Sequence, residues 1–436
     1  MRFFAKFIII SYICSTITTA ESQNTTIGTE SYPIYAVSTK SHTPVFRPKS
    51  HNKSLANSVA LSNQQFADWI EAFKVRARQR GITTLILNAA FQNVTYDEDI
   101  IFRDRNQSEY TKAIWEYLDR AVSQTRIQNG KKNLQNYHNI LEKIEVKYGV
   151  DKEIIIAIWG LETNYSEFRG SDNVIQSLAT LAFDGRRGDF FESQLLAALE
   201  ILQSGDTTAS QMTGSWAGAM GHTQFMPTSF LEYAVDFTGD GRRDIWSNDP
   251  TDSLASTAAY LNRFGWKQNQ PWGIEVQIPT NFDFNLVDPS NKRLPSHWAM
   301  SGVLGLNGLA IKDYGPASLL MPAGQQGAKF LIFDNFRVIK RYNSSNAYAI
   351  GVGHLSDRLK GRPSIQASWP RNDRPLNSAE RKELQSHLAN KGYYSGNIDG
   401  KIGPISMTAV RAFQNSIGVV ADGYISLDLL NRLRQN

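Results

Sequence analysis

The chain has 436 residues, 41% hydrophobic and 20% charged, a composition that excludes a disordered or fibrous protein and suits two or three globular domains. Lys and Arg number 46 against 41 Asp and Glu; without a long basic run this mild excess does not point to nucleic acid, and it gives only weak support to an anionic polymer. The single cysteine, Cys14, sits near the N-terminus, so thiol catalysis, Cys-held zinc and disulfides are excluded from a chain that loses that segment.

Residues 1–20 read as a secretory signal peptide. Arg2 and Lys6 precede an apolar run over 7–17, too short to span a bilayer, and Thr18-Thr19-Ala20 offers small residues for cleavage. The expected destination is the periplasm. Ser11-Tyr12-Ile13 before Cys14 is a poor lipidation site, which makes a membrane lipoprotein the weaker reading. Residues 21–62 are rich in Ser, Thr, Asn and Pro, lack periodicity, and predict a flexible arm.

Helical spacing begins with Phe66, Trp69, Ile70, Phe73 and Ala77 and stops at Gly81. Further helices are expected over 109–123, 136–148, 151–162, 190–203, 252–264 and 347–360. With Asp151 as N-cap, the fourth of these would align Ile155, Ile158 and Glu162 on one face. A carboxylate that continues an apolar stripe is costly to ionise, and a carboxyl kept protonated near neutral pH can serve as a general acid. Taken alone, the same residue is equally a helix-end Glu that reaches water.

The segment from Gly214 to Pro227 has three glycines in eight positions, which lets backbone approach a ligand, with Ser215, His222 and Gln224 as polar groups. A tightly packed junction explains it equally, and His222 reads as a packing residue. Asp236, Thr238, Asp240, Gly241, the Arg242 carbonyl and Asp244 follow the spacing of the first nine positions of a calcium-binding EF-hand loop. Ser247 stands where the bidentate Glu belongs, so Asp249 or Asp252 would have to supply the last carboxylate. An Asp/Gly turn gives the same pattern without a cation.

Between about 272 and 340 the pattern changes to short alternating or apolar runs, notably over 274–278 and 329–333, which predict a small β-containing insertion. Arg341-Tyr342-Asn343 through Tyr348 leads into the next helix. Its Tyr and Asn residues suit sugar binding, and a capping segment accounts for them as well. Residues 363–376, with three prolines, read as a linker. Residues 377–436 form a compact three-helix unit, and no long tandem repeat is visible.

Four segments in order resemble the lytic murein transglycosylase B family: Trp159-Gly160-Leu161-Glu162-Thr163-Asn164-Tyr165, Ser215 to Pro227, the Asp/Gly loop followed by Ile245-Trp246, and Tyr342-Asn343 with Ser345 and Tyr348. The resemblance covers roughly 63–362. The C-terminal unit resembles the three-helix peptidoglycan-binding domain through Asn397-Ile398-Asp399-Gly400-Lys401-Ile402-Gly403 and Ala409-Val410-Arg411-Ala412-Phe413-Gln414. The resemblance implies a mainly α, α+β fold: a lysozyme-like catalytic core with a small β-containing subdomain, then the wall-binding unit. It implies non-hydrolytic cleavage of peptidoglycan glycan strands to 1,6-anhydro ends, with Glu162 as acid and then base. Ser215, Gln224, Tyr342, Asn343 and Tyr348 are implied as substrate contacts. Asp236, Thr238, Asp240, Arg242 and Asp252 are implied for a structural Ca2+, with no cofactor required for catalysis. Cell-wall synthesis proteins are conceivable partners of what is expected to be a monomer.

Two other readings compete. A hydrolytic muramidase would need a second carboxylate beside Glu162, for which Glu167, Asp172 and Asp184 are the neighbours in sequence. A non-catalytic wall-binding protein would have no need of a buried acid.

Overall fold

The computed structural model describes residues 52–106 and 112–435, with side chains from residue 63 onward. The expected signal peptide lies outside the described residues, as do most of the expected arm and the first residues of the helix expected over 109–123. One boundary moves: α1 (Asn52–Gln79) begins inside the segment expected as a flexible arm. Its Ser and Asn content masks Leu55, Ala56, Ala60 and Leu61, which carry adequate helix propensity.

Eight helices build the first half of the body: α1, α2 (Thr84–Phe91), α3 (Glu98–Arg105), α4 (Ile114–Ala121), α5 (Gln124–Asn136), α6 (His138–Tyr148), α7 (Lys152–Thr163) and, after the two-residue β1 (Asp172–Asn173), α8 (Val174–Asp184). Then come α9 (Gly188–Ser204), β2 (Thr213–Gly214), α10 (Pro227–Tyr233) and α11 (Thr251–Arg263). Side-chain caps set several starts. Thr83, Asp97, Ser123 and Asn173 each accept from a backbone N–H in the first turn of α2, α3, α5 and α8.

The helix that carries the fold is α7. Every residue from Ile154 to Thr163 is buried, so the helix is apolar all round and must be central. It packs against α5, α6, α11 and α14 (Asn346–Leu359). Each buried Ile contributes about 1.5–3 kcal/mol. Asp151 does occupy the N-cap position, but its side chain makes no cap bond. Its carboxylate instead accepts from Trp266 Nε1 at 3.0 Å and pairs with Lys360 at 2.7 Å, tying the start of α7 to the segment after α11 and to the end of α14.

The insertion holds β3 (Gly273–Gln277), α12 (Pro295–Met300), β4 (Leu304–Gly305), β5 (Ser318–Leu320) and β6 (Phe330–Ile332), before α13 (Asp334–Tyr342) returns the chain to α14. The four strands form an antiparallel sheet in the order β4-β3-β6-β5, with Glu275 opposite Phe330 and Leu319 opposite Leu331. Strand alternation divides β6 between two cores. Phe330 and Ile332 face the main body; Leu331 and the following Phe333 face a smaller core with Val276, Trp298 and Leu319.

The C-terminal unit is α15 (Ser378–Asn390), α16 (Pro404–Ser416) and α17 (Leu427–Gln435) around Leu384, Leu388, Val410, Phe413, Leu430 and Leu433. Asn377 and Glu380 form a capping box at the start of α15. The preceding segment, expected as a linker, lies along the body. Glu275 accepts from the backbone N–H groups of Gln366 and Ala367, and the Trp369 ring lies 6.2 Å from that of Trp115.

Candidate active site

Glu162 occupies the last turn of α7, 2% exposed. The hydroxyl of Tyr348, on α14, donates to Glu162 Oε1 at 2.5 Å. Tyr348 is 1% exposed, and the Tyr342 side chain at the end of α13 is 2% exposed and donates to the Thr223 carbonyl at 2.6 Å. Burial, and after it the nearby Glu162 charge, holds both phenols well above their ordinary pKa, so both remain neutral donors. Tyr348 is expected from the sequence to touch substrate; in this structure its hydroxyl touches Glu162.

An unusual turn fixes the end of α7. Asn164, Tyr165 and Ser166 have φ of 49°, 60° and 79°, three successive non-glycine residues in the left-handed region. Their surroundings hold them there. Tyr165 donates to the Arg126 carbonyl at 2.9 Å, the Ser166 N–H donates to Thr163 Oγ1 at 3.0 Å, and Trp159 Nε1 donates to Ser166 Oγ at 2.9 Å. Ser166 Oγ also bonds His222 Nδ1. His222 Nε2 faces the Ser247 carbonyl at 2.8 Å, so Nε2 carries the hydrogen and Nδ1 accepts. Burial drops the His222 pKa to about 4, so the ring is neutral. Thr163 donates to the His222 carbonyl at 2.6 Å. The expectation that His222 packs and bonds rather than reacts agrees with this geometry. The bonds to Arg126 and His222 had no signal in the sequence, because they join segments far apart in the chain.

The glycine-rich segment forms the adjoining wall. Ser215 Oγ accepts from the Ala219 N–H at 3.1 Å. Gln224, at φ 57°, donates from Nε2 to the Arg169 and Gly221 carbonyls, which leaves its side-chain carbonyl as the group it can offer a ligand. At Gly221 the close approach is to the protein itself, as in a tightly packed junction: a Cβ there would come within 2.4 Å of the Ile245 carbonyl. Gln224, Phe225, Met226, Tyr260, Arg341 and Tyr342 line a small cavity of about 10 Å³, room for a single water. Asn343, 7% exposed, accepts from the Ser345 N–H at 3.0 Å at the junction of α13 and α14. Arg169 was missed by the sequence reading. Its Nη1 reaches the carbonyls of Trp246 and Ser247, both at 2.7 Å, and ties the wall to the Asp/Gly loop.

Glu167, Asp172 and Asp184, the candidates for a second carboxylate, are engaged elsewhere. Glu167 is exposed and bonds Asn164; Asp172 pairs with Arg103 at 3.4 Å and Asp184 with Arg105 at 2.6 Å.

In the Asp/Gly loop the oxygens are engaged by the loop's own backbone. Asp236 accepts from Thr238 Oγ1 and from the N–H groups of Gly239 and Gly241, and Asp240 accepts from the Arg242 N–H. Asp252 Oδ1 accepts from the Phe237 and Thr238 N–H groups, and Oδ2 from that of Asp244. Both oxygens of the expected last ligand thus close the loop. Among the described residues, no three carboxylate oxygens of this loop lie within 4.8 Å of one another. In this arrangement Asp252 fits a clasp better than a cation ligand.

Comparison with known proteins gives these features a context. Residues 65–357 match the family model described as transglycosylase SLT domain, and residues 377–433 match that of the putative peptidoglycan binding domain. A curated relative from Escherichia coli (strain K12), membrane-bound lytic murein transglycosylase B, is 32% identical over 250 residues, 56% of this chain and 66% of its own length. The crystal structure of SltB3 from Pseudomonas aeruginosa in complex with NAG-anhNAM-pentapeptide is similar at a TM-score of 0.82 and 46% identity, covering 85% of this chain and 99% of that one. The structure of Escherichia coli Slt35 in complex with calcium is similar at a TM-score of 0.57 and 28% identity, covering 68% and 93%.

Proposed function

The chain belongs to the transglycosylase SLT family, and on that premise we propose that it is a lytic transglycosylase. It cleaves the β-1,4 bond between N-acetylmuramic acid and N-acetylglucosamine in peptidoglycan without water and leaves a 1,6-anhydro end. The observation that carries this reading is the burial of Glu162 with the Tyr348 hydroxyl on its Oε1.

A carboxyl in that position favours its neutral form, because burial penalises the charge. With Oε1 accepting from Tyr348, the acid's proton sits on Oε2. Glu162 gives that proton to the glycosidic oxygen as the bond to the muramyl anomeric carbon breaks. The carboxylate then takes the proton from the muramyl C6 hydroxyl, whose oxygen closes onto the anomeric carbon. The proton count balances on one residue and no water is consumed. A hydrolase would place a second carboxylate across the sugar, and the engagement of Glu167, Asp172 and Asp184 by other partners supports the single-residue scheme. Ser215, Gln224 and Asn343 are proposed to hold the sugar's hydroxyl and acetamido groups, with Tyr342 and Tyr348 as the floor of the pocket.

The C-terminal unit binds the polymer and raises the local concentration of the catalytic core on it. Peptidoglycan lies outside the cytoplasm, which supports the periplasmic expectation; among the described residues no helix is long and apolar enough to cross a membrane. Calcium, where it binds, would stabilise the Asp236 loop through Asp236, Thr238, Asp240 and the Arg242 carbonyl, and it has no step in the reaction.

The test is mass spectrometry of products released from purified peptidoglycan by wild type and Glu162→Gln. Products one water lighter than reducing-end fragments, absent with the variant, are expected. Reducing ends from wild type would replace this scheme with hydrolysis.

A further inference from the structure

The C-terminal unit contains one local motif twice, and the two copies are used differently. In the first, Gln385 of α15 is fully buried; its Oε1 accepts from the Gly400 N–H at 2.7 Å and its Nε2 donates to Asp399 Oδ1 at 3.4 Å. In the second, Gln414 of α16 accepts from the Gly423 N–H at 2.9 Å and donates to Asp422 Oδ1 at 2.9 Å. The N–H two residues after each Asp closes onto its Oδ1, from Lys401 at 2.8 Å and from Tyr424 at 2.9 Å. Gly400 and Gly423 share φ of 73° and 76°. In each copy the next helix begins five residues after the Asp, at Pro404 and at Leu427. The repeat is invisible as a tandem pattern because the first copy's loop is longer and its Gln sits a turn further from the helix end.

The second copy is docked on the body. Asp422 Oδ2 accepts from the Gln325 N–H at 2.8 Å. The residue before that N–H is Gly324, where a Cβ would come within 2.3 Å of Asp422 Oδ2 and 2.6 Å of Tyr424 Cβ. This copy therefore holds a backbone amide that arrives with little bulk beside it. The first copy has the same scaffold, but Asp399 is exposed, with exposed Ile398, Lys401 and Ile402 around it. Lys401 stands where the docked copy has Tyr424, adding a cation beside the acceptor.

We infer that the Asp399 loop is a binding loop for a secondary amide N–H of the peptide stems of peptidoglycan, with Lys401 facing a stem carboxylate. The inference rests on the reading of this unit as a wall-binding module and adds which loop binds and what it recognises. A paired acceptor and cation match a peptide, which offers N–H groups and carboxylates together; an acetamido N–H of the sugars is the other source of the same donor.

The experiment is a sacculus pull-down of the full chain in a Glu162→Gln background, with the same material repeated after amidase has stripped the stems. Asp399→Asn keeps an Oδ1 acceptor for the Lys401 N–H and replaces Oδ2 by a donor. It should weaken binding to intact sacculi at least fivefold and leave binding to stripped glycan at the parent's level. Lys401→Glu, whose change lies outside the loop's closing bonds, should weaken binding to intact sacculi in the same direction and decides the matter if Asp399→Asn lowers the thermal midpoint. Parent-like binding by both variants would overturn the inference, and equal losses on intact and stripped material would assign the loop to sugar instead. Fragments released in the Glu162→Gln background would count against the proposed acid and leave this inference standing.

Discussion

The Tyr348 hydroxyl and the Glu162 carboxylate meet at 2.5 Å although 186 residues separate them in the chain. A donor on a carboxylate favours its ionised form, while burial opposes it, so the pair sets how readily the acid holds its proton. Tyr348→Phe keeps the ring in its buried slot and removes only the donor. Loss of a hydrogen bond to a charged group is worth about 1.5–3 kcal/mol, which predicts a fall in kcat of roughly tenfold to a hundredfold. Without the donor the acid's pKa rises. The limb on which activity falls with increasing pH should therefore move to higher pH. A pH–rate profile of the variant on purified glycan checks this, and an unmoved limb would mean that Tyr348 only packs.

His222 predicts a pH dependence of stability. Its native pKa of about 4 lies below the ordinary value of 6.5. Between these values the unfolded chain binds a proton that the native protein does not, so stability rises with pH in that window. The contribution is complete above about pH 6.5 and is lost as pH falls toward 4, on the order of 3 kcal/mol in all. His222→Gln lacks the titrating group. It should be less stable than wild type at pH 7.5, and the gap should narrow by pH 5 in urea denaturation. A gap of constant size would show that His222 does not carry the dependence.

Where the sequence was informative, it was so through period. The spacing that predicted helices around Glu162 and over 190–203, 252–264 and 347–360 corresponds to α7, α9, α11 and α14, and the two runs read as strands are β3 and β6, paired with each other. The strands β4 and β5, of two and three residues, are too short for a period to register. Glu162 could be picked out as a carboxylate on an apolar face, but its Tyr348 partner could not be derived from local spacing. Asn164-Tyr165-Ser166 lacks the glycine that marks most left-handed turns, so only tertiary bonds explain it. The same limit applies to Asp252: in sequence, an acidic side chain that gathers backbone N–H groups has the composition of one that gathers a cation.

Asp252 gives a separate prediction. Three backbone N–H groups lose their acceptor in Asp252→Ala, which should cost about 2–4 kcal/mol. A clasp stabilises the loop whether or not a cation is present, so the drop in thermal midpoint should be seen in chelator-treated protein and should change little when Ca2+ is added back. If the variant matches wild type after chelation and differs only with Ca2+, Asp252 is a ligand and the loop rearranges to form a site.

The segment before the C-terminal unit predicts how that unit is carried. Its three prolines already limit backbone freedom, and Glu275 fixes the Gln366 and Ala367 N–H groups at 2.9 and 2.8 Å. Trp369 packs near Trp115, while Arg371 and Asp119 pair at 2.7 Å on an exposed surface, where such pairs are worth at most about 1 kcal/mol. Glu275 and Trp369 should therefore hold the strap, and the ion pair should matter little. Limited trypsin digestion reads this directly at Arg371-Asn372, since Arg362 and Arg374 are each followed by a proline and resist the protease. Trp369→Ala should speed cleavage there by roughly tenfold, consistent with loss of about 1.5–3 kcal/mol of apolar burial, and Asp119→Ala, which removes the ion pair and keeps the Arg371 site, should stay near wild type. Wild type cut as fast as Trp369→Ala would mean that the unit swings on a free tether, and its effect on catalysis would then follow from effective concentration alone. A slow wild-type cut means that the wall-binding unit is presented in a set direction, so that where it grips the polymer constrains which glycosidic bonds can reach Glu162.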